Sequence, residues 1–572
     1  MANYLLPLLT AVAGRAKASF VRRTNQTEVV QERFLRELLQ AYQDTELGRQ
    51  YGLSDIKTID QFRDRVPVLP YSSYEPLTER IFQGEPNILT PDPVVYINLT
   101  SGSTGTKKLI PVTKRFQNSL KRANLTSIGF LADALKARQL KFGKLLLTNS
   151  VQLLGHSPGG IEYGPASVGV LRMGKFLYEQ IFAHPFETLQ PGDSLARHYV
   201  CLLFALRDRS MRGIIANFPM LLLRTCDYLE RYAEDLIQDL EKGTIANWLE
   251  LELGVQSKLE KQWSGDPERA RELREILQSE GRLTPKSAWP GLSFVATARG
   301  GTSDFYFERF PSYFGDTPVF GAVYSSAEAT FSIYPDVDTD GSVLAIESGF
   351  FEFVPQDQWE AEHPKTLLAT EVKVGERYRL LATNYSGFYR YDIGDVVEVV
   401  GFYNTAPLIV FRYRRGGMLS ATTEKTTEYH VTQVMQALQQ EFGLPLEDFC
   451  ITLSESVISP HYLVNIELIP GHTLDNPQAF LASFDNKLRQ ANTSYAVRRP
   501  SNFIPAPRLR ILASGSFAIL RQRQLERGVP DSQLKFPHIS EDRQFLAGLE
   551  VEQEVRLPDD SQGYPAQLLH IK

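Results

Sequence analysis

The chain has 572 residues, which is too long for one compact core, so its length predicts at least two domains. A hydrophobic content of 43%, a charged content of 22% and a formal net charge of −6 are typical of an ordinary globular protein. They argue against nucleic acid or an anionic membrane surface as the main partner. The cysteines, Cys201, Cys226 and Cys450, lie far apart, so neither a disulfide framework nor a Cys-x-x-Cys metal site is expected. We therefore interpret the cysteines as packed thiols and expect a cytoplasmic location for the protein.

The pattern of apolar residues predicts an α/β protein. Residues 1–90 are predicted to be largely helical, beginning with an amphipathic helix that includes Leu5–Ala13 and packs on the body of the protein. Two apolar runs, Val94–Ile97 and Leu109–Val112, predict strands, and Thr113 is placed to cap the next helix. Helices are also predicted at 202–206, 220–242, 428–442 and 477–491, and strands at 292–297, 319–324, 350–354, 378–383, 396–400, 450–453 and 462–468.

The loop between the first two predicted strands is rich in hydroxyl groups, glycine and lysine. Small residues let the backbone approach an anion and donate its N–H groups, while hydroxyls and lysines add further donors and positive charge. We interpret this loop as a cradle for a nucleoside triphosphate; a Ser/Thr/Gly-rich surface turn is the alternative. The site residues predicted from it are Thr100, Ser101, Gly102, Ser103, Thr104, Gly105 and Lys108.

This loop resembles the phosphate loop of adenylate-forming enzymes, which activate carboxylic acids with ATP. Two later segments, Tyr324–Glu328 (Tyr-Ser-Ser-Ala-Glu) and Tyr389–Asp395 (Tyr-Arg-Tyr-Asp-Ile-Gly-Asp), resemble that superfamily's other nucleotide motifs and follow in the expected order. With Trp289–Phe294 and Lys535–His538, they are most similar to the Gretchen Hagen-type acyl acid amido synthetases. The resemblance implies an adenylation domain of β-sheets with flanking helices over residues 1–412, a hinge at 413–420 and a smaller, mobile α/β domain over 421–572.

The resemblance also implies site roles, with ATP and Mg²⁺ as cofactors. Glu328 would be the Mg²⁺ ligand, Asp395 would accept both ribose hydroxyls, and Lys535 would close over the α-phosphate as a catalytic group. Each has an alternative: a solvated surface glutamate, a turn-forming aspartate after Gly394, and a surface lysine. The other implied positions are Tyr324, Ser325 and Ser326 beside the α-phosphate or acyl group, and Gly300, Gly301 and Thr302 at the adenine, where a plain Gly-Gly turn is the alternative.

The implied function is an amido synthetase that forms acyl-AMP from a carboxylic acid and then transfers the acyl group to an amino acid. Two alternatives stay open, an acyl-CoA ligase and a non-catalytic nucleotide-binding regulator. The segment Arg412–Ser420 lacks the Asp and Lys usual in the ligase hinge, which favours the amide branch. A monomer is expected, with a weak homodimer as alternative. Candidate partners for the substrate carboxylate are Arg115, Arg122 and Arg172, although an exposed surface arginine is the favoured alternative for each.

Overall fold

The computed structural model of the protein describes residues 5–101, 107–166, 175–301, 303–415, 418–421, 424–455, 460–499, 504–527, 529 and 534–558. The α/β class predicted from the sequence is confirmed. The described α-helices are α1 (Leu5–Arg23), α2 (Thr27–Tyr42), α3 (Glu46–Gln50), α4 (Ile59–Arg65), α5 (Tyr71–Phe82), α6 (Lys114–Ala137), α7 (Lys175–Ile181), α8 (Ser194–Arg207), α9 (Pro219–Arg231), α10 (Ala233–Lys242), α11 (Leu253–Gln262), α12 (Pro267–Glu280), α13 (Pro285–Ala288), α14 (Ser303–Phe307), α15 (Phe310–Phe314), α16 (Glu428–Phe442), α17 (Pro477–Ala491), α18 (Thr493–Arg498) and α19 (Ser516–Glu526).

The described β-strands pair into separate sheets. They are β1 (Val94–Ser101), β2 (Lys107–Thr113), β3 (Lys144–Leu147), β4 (Gly155–His156), β5 (Glu162–Gly164), β6 (Met211–Ile215), β7 (Phe294–Ala296), β8 (Val319–Phe320), β9 (Val323–Ser325), β10 (Thr330–Ile333), β11 (Ser342–Leu344), β12 (Phe350–Pro355), β13 (Arg377–Thr383), β14 (Tyr391–Tyr403), β15 (Ala406–Arg414), β16 (Met418–Leu419), β17 (Thr426–Thr427), β18 (Leu446–Leu453), β19 (Tyr462–Leu468), β20 (Arg508–Leu512), β21 (Ile539–Ser540) and β22 (Val551–Arg556).

The described residues divide into two compact units. The first unit runs to residue 303 and continues over 310–412, and the second contains 304–309, 413–529 and the described residues from 534 onward. The first unit holds the sheets β2-β1-β5-β4, β12-β13-β14-β15-β11-β10-β9 and β3-β6-β7-β8, the last of which is parallel throughout. The second holds β21-β18-β19-β20-β22 and the small pair β16-β17. The mobility of the second unit about residues 413–420 stays a prediction.

The core of the first unit forms where the N-terminal helices bury their apolar faces on the seven-stranded sheet. Helix α2 places Phe34 and Leu38 there, and strand β12 contributes Phe351 and Phe353 from the sheet side. Helix α1 packs against α6, with the ring of Phe20 edge-on to another aromatic ring at 6.3 Å, so the predicted N-terminal packing helix is confirmed. Thr113 caps α6 as predicted, its hydroxyl accepting from a backbone N–H at 3.2 Å.

Some predicted elements agree with the structure at both ends, others are longer or shorter than predicted, and two are interrupted. The helices at 428–442 and 477–491 and the strand at 462–468 are confirmed residue for residue. The single helix predicted at 220–242 is wrong, because Tyr232, with φ −105° and ψ 21°, leaves the helical region and separates α9 from α10. The strand predicted at 319–324 is also wrong. A Cβ at Gly321 would lie 2.5 Å from the Tyr334 ring, and Ala322 turns aside with φ 53° between β8 and β9.

The packed thiols predicted from the sequence are confirmed. Cys201, Cys226 and Cys450 are buried free thiols. Among the helices that the structure describes, none is both long and apolar enough to cross a membrane.

Candidate nucleotide site

The predicted phosphate loop connects two paired strands. Strands β1 and β2 form an antiparallel hairpin in which Thr100 pairs with Lys108 and Ser101 with Lys107, so these residues of the predicted loop lie in the paired strands. The tip residues Gly102, Ser103, Thr104 and Gly105 lie outside the described residues, so their roles stay predictions. Asn98, which the sequence analysis did not single out, donates from Nδ2 to the backbone oxygen of Ala327 at 3.0 Å. That bond ties the hairpin to the segment that carries Glu328.

Lys108 lies between two tyrosine rings. Its Nζ is 5.4 Å from the centroid of the Tyr71 ring and 5.9 Å from that of Tyr391, within the range of cation–π attraction. The Tyr71 hydroxyl accepts the backbone N–H of Leu109 at 2.7 Å, and burial raises the pKa of the Tyr71 phenol. Tyr71 therefore stays protonated at neutral pH and holds the start of β2 in place. The Lys108 side chain is 15% exposed, so its ammonium is partly desolvated.

Glu328 is buried beside that lysine. It is 4% exposed, so the solvated surface position left open by the sequence is wrong. Its Oε1 accepts the Tyr391 hydroxyl at 3.0 Å and lies 3.7 Å from Lys108 Nζ. The Ser326 hydroxyl accepts the backbone N–H of Glu328 at 3.1 Å, which fixes the turn that presents the carboxylate. A contact of Ser326 with substrate stays a prediction, as does one of Ser325, which is exposed at the end of β9.

Asp395 lies inside a strand, so the predicted tight turn is wrong. Arg379 of β13 pairs with Val396 and Leu381 pairs with Asp392, so three residues of β14 face one of β13. Gly394, with φ 82°, permits this bulge. The bulge leaves Asp395 only 1% exposed, with Oδ2 accepting the Tyr324 hydroxyl at 2.5 Å. A bidentate contact with ribose would therefore compete with Tyr324 for Oδ2.

The glycines predicted at the adenine pack against a neighbouring strand. Gly300 and Gly301 have φ of 83° and 60°, and the backbone N–H of Gly301 donates to Phe411 O at 2.9 Å. A Cβ at Gly300 would lie 2.7 Å from Phe411 O, so close packing of β15 already requires glycine there. The Phe411 ring also lies 5.4 Å from that of Tyr324. Thr302 lies outside the described residues, and the adenine contact stays a prediction.

Arg390, the arginine of the motif over residues 389–395, has a structural role that sequence reasoning missed. It is 5% exposed, adopts φ 45°, and its Nε donates to Glu352 at 3.0 Å. Its Nη1 donates to the backbone oxygens of Arg63 and Val66, each at 2.9 Å, and so fastens α4 and the residue after it to the sheet. Tyr389 and Tyr391 on either side are fully buried, so their rings pack in the core.

Lys535 lies in the second unit on an anchored segment. The neighbouring Leu534 and Phe536 are each 2% exposed, whereas Lys535 is exposed. His538 donates its backbone N–H to the Glu428 carboxylate at 2.8 Å, which fixes the end of the segment. The catalytic role of Lys535 stays a prediction.

The arginines considered for the substrate carboxylate have other partners. Arg115 pairs with Asp92 at 2.8 Å, and Arg122 lies 3.5 Å from the Glu347 carboxylate. Arg172 lies outside the described residues. The identity of the acid therefore does not follow from these arginines.

The donor set suits a metal that is carried by a nucleotide. Among the residues that the structure describes, no group of three or more His, Cys, Asp or Glu side chains could hold a metal ion. Mg²⁺ in nucleotide sites is usually held by one or two carboxylates together with phosphate oxygens and water. A single buried carboxylate such as Glu328 fits that pattern.

Comparison with known proteins agrees with the motifs. Residues 16–319 match the GH3 family N-terminal domain, 342–414 the GH3 family central domain and 429–544 the GH3 family C-terminal domain. The chain is 25% identical over 536 residues to indole-3-acetic acid-amido synthetase GH3.3 of Arabidopsis thaliana, covering 90% of this chain and 89% of the relative.

Two solved structures share the fold. The AtGH3.15 acyl acid amido synthetase in complex with 2,4-DB aligns with a TM-score of 0.82 at 22% identity, over 95% of this chain and 97% of that one. A 2-hydroxyisobutyryl-CoA ligase in the postadenylation state aligns with a TM-score of 0.54 at 15% identity, over 90% of each chain. The matched domains span more than half of the sequence, and the chain belongs to the GH3 family.

Proposed function

We propose that this protein is an ATP-dependent acyl acid amido synthetase that joins a small carboxylic acid to the amine of an amino acid. The observation that carries the proposal is the meeting of Lys108 and Glu328, whose charged atoms lie 3.7 Å apart although 220 residues separate them in the sequence. Membership of the GH3 family and the name of the amido synthetase relative support the same reaction.

In the first step, a carboxylate oxygen of the acid attacks the α-phosphorus of ATP. An acyl–oxygen–phosphorus bond forms, the bond between the α-phosphorus and its bridging oxygen breaks, and pyrophosphate leaves with both electrons. Charge accumulates on the phosphate oxygens, so fixed donors stabilise this step most. We assign the β- and γ-phosphates to the hairpin loop and Lys108, and the ribose to Asp395.

Glu328 would hold Mg²⁺ when the nucleotide is bound, and the ion would supply positive charge to the triphosphate. The protein's own contribution is to keep this carboxylate buried and aimed. Ser326 fixes its backbone and Tyr391 its side chain, at 3.1 Å and 3.0 Å. Preorganised groups of this kind need not reorganise when the nucleotide arrives.

In the second step, the amino acid nitrogen attacks the acyl carbon, the carbon–oxygen bond to AMP breaks, and the nitrogen loses a proton. Lys535 is proposed to act mainly in the first step, where its exposed ammonium would face the developing charge after closure of the second unit. We expect a thioester to form poorly, because Arg412–Ser420 lacks the Asp and Lys usual in the ligase hinge. The proposal involves groups of one chain, so a monomer is the expected working form.

The experiment is exchange of labelled pyrophosphate into ATP, without amine, across a panel of aryl, indole and fatty acids. At least one acid should support exchange, and hydroxylamine should trap the same acyl group. Glu328→Gln should raise the Mg²⁺ requirement and depress exchange, whereas Glu241→Gln, which alters a surface pair with Arg274 at 2.7 Å, should not. Absence of exchange with every acid would contradict adenylation.

A further inference from the structure

In the two later nucleotide motifs, the tyrosine of each segment bonds to the carboxylate of the other segment. One segment carries Tyr324 and Glu328, and the other carries Tyr391 and Asp395, with the same spacing of four residues. Tyr391 donates to Glu328 at 3.0 Å, and Tyr324 donates to Asp395 at 2.5 Å. Each carboxylate is therefore oriented by the tyrosine of the other segment, and neither segment orients its own carboxylate alone.

Tyr391 has a second polar contact besides its bond to Glu328. Its hydroxyl accepts from Lys108 Nζ at 3.2 Å while it donates to Glu328, so it bridges the ammonium and the carboxylate. Its ring is fully buried, with Phe388 at 5.1 Å and Tyr74 at 6.0 Å between ring centroids. The packed ring fixes where the hydroxyl lies, and the hydroxyl fixes both charged groups.

Without that bridge, Lys108 and Glu328 would be drawn together. Opposite charges in a poorly hydrated site attract strongly, and the two atoms are already within 3.7 Å. An ammonium in direct contact with Glu328 would compete with any cation that needs this carboxylate, and it would turn Lys108 away from an anion. A bridging hydroxyl satisfies both groups while it holds them apart.

We propose that Tyr391 is a positioning residue that keeps Glu328 available to Mg²⁺ and Lys108 available to phosphate, rather than to each other. Tyr324 has the corresponding role for Asp395 at the ribose. The inference rests on the proposed function, because it assigns Glu328 and Lys108 to the triphosphate. It assigns the two tyrosines to different parts of the nucleotide. Tyr391 acts at the metal and phosphate end, and Tyr324 acts at the nucleoside end.

The test compares Tyr391→Phe with Tyr389→Phe, a matched control that removes another fully buried hydroxyl of the same motif. Electron paramagnetic resonance would count bound Mn²⁺ in the presence of α,β-methylene-ATP. Loss of a hydrogen bond to a charged group predicts about tenfold weaker Mn²⁺ binding in Tyr391→Phe. Tyr389→Phe should bind Mn²⁺ like the unmodified protein. Thermal unfolding checks that both variants keep the fold.

Two further variants make the result decisive. Adding Tyr391→Phe to Glu328→Gln should weaken Mn²⁺ binding no further, because the hydroxyl acts through that carboxylate. Tyr324→Phe should weaken binding of metal-free α,β-methylene-ATP and leave the Mn²⁺ dependence unchanged. Equal Mn²⁺ binding by Tyr391→Phe and Tyr389→Phe would overturn the inference even if pyrophosphate exchange is normal. Failure of exchange in the unmodified protein would instead contradict the proposed function, and the Mn²⁺ titration would still decide the role of Tyr391.

Discussion

Buried tyrosine–carboxylate pairs occur in both compact units, but their surroundings differ. In the second unit, Tyr462 donates to Glu424 at 2.5 Å and Tyr495 donates to Asp485 at 2.6 Å. These two rings stack at 5.8 Å with only 9° between their planes. Burial, together with the neighbouring carboxylates, holds the pKa of both phenols well above their usual value. The two tyrosine–carboxylate pairs stabilise one packed region of the second unit.

The carboxylates of the second unit are satisfied by further groups of the protein. Glu424 also accepts the backbone N–H of Ala421 at 2.6 Å, and Asp485 lies 3.3 Å from the buried guanidinium of Arg499. Glu328 in the first unit instead faces Lys108 across 3.7 Å, next to the loop end of the β1–β2 hairpin. Burial and a tyrosine partner alone do not mark a ligand site. An unlike charge held close without direct contact is the feature that distinguishes Glu328 from Asp485.

The largest expected effect is on stability in the second unit. Asp485→Asn keeps the volume of the side chain but removes the negative charge that faces Arg499. Removal of one partner of a buried ion pair costs about 3–5 kcal/mol, so urea unfolding should show a loss of this size. ATP affinity, measured by calorimetry at low temperature, should change by less than about twofold, or about 0.4 kcal/mol, because Asp485 is not among the groups assigned to the nucleotide. A large loss of ATP affinity would show that this pair is more than structural.

The next largest effect is expected for Lys535, an exposed lysine of the second unit. Lys535→Ala should slow pyrophosphate exchange by about 10²–10³, the usual consequence of removing one transition-state donor. ATP binding should stay nearly intact, because the group acts on charge that develops during reaction. Lys487→Ala, which removes a lysine paired with Glu441 at 2.8 Å in the same unit, is the control. Equal exchange rates in the two variants would remove Lys535 from the reaction.

His184 is a buried histidine of the first unit that has no proposed role in the nucleotide site. It therefore tests whether an effect on ATP binding requires a residue of the site itself. His184 bonds to Thr188 at 2.7 Å and accepts the N–H of Leu147 at 3.3 Å, and burial lowers its pKa from 6.5 to about 4. The unfolded chain therefore takes up the proton more readily, so stability is lost as pH falls from about 6.5 to about 4. We expect this histidine to contribute about 2 kcal/mol to the loss between pH 7.5 and 5.

That contribution is measured by urea unfolding at both pH values. His184→Gln, which keeps an acceptor for the Leu147 N–H, should lose about 2 kcal/mol less than the unmodified protein on acidification. ATP affinity at pH 7.5 should be the same in both. An identical pH dependence of stability in the two proteins would contradict the assignment of a neutral, structural His184.

The last expected effect, which has the smallest lower bound, concerns the ribose end of the site. Asp395→Ala should weaken ATP binding by at least about tenfold, because hydrogen bonds to a charged group contribute about 1.5–3 kcal/mol each. Asp336→Ala, which removes a surface carboxylate paired with Arg138 at 2.8 Å, should leave ATP binding unchanged. Unchanged titration curves for Asp395→Ala would exclude this carboxylate from the nucleotide site and weaken the contrast between the units.

Local patterns predicted much of the fold because many elements follow sequence-local rules. Helix α16 is predicted to the residue, and its cap, Thr427, accepts the N–H of His430 at 3.4 Å. The interruptions at Tyr232 and Ala322 were not predicted. Each depends on a tertiary contact or on a backbone angle that no local sequence pattern indicates. Gly321 is an example, since the contact that requires it comes from Tyr334, thirteen residues later.

The site divides in the same way between local and long-range information. The motifs and the family resemblance that they carry singled out Glu328, Asp395 and Lys108 as candidates, and their contacts with a nucleotide stay a prediction. The bridging role of Tyr391 and the structural role of Arg390 depend on partners 63 and 38 residues away. Such pairings follow from strand order and the bulge at Gly394, which the sequence pattern did not predict. The Gly394–Asp395 dipeptide suggested a turn, although glycine with positive φ serves a bulge equally well.

The central claim is that the product is an amide made through acyl-AMP. The most direct measurement supplies the protein with preformed acyl-AMP, an amino-acid mixture and coenzyme A together, and identifies the products by mass. We expect an acyl–amino acid amide with release of AMP, and little or no thioester. Acyl-CoA without any amide would contradict the amido synthetase proposal and support the acyl-CoA ligase alternative.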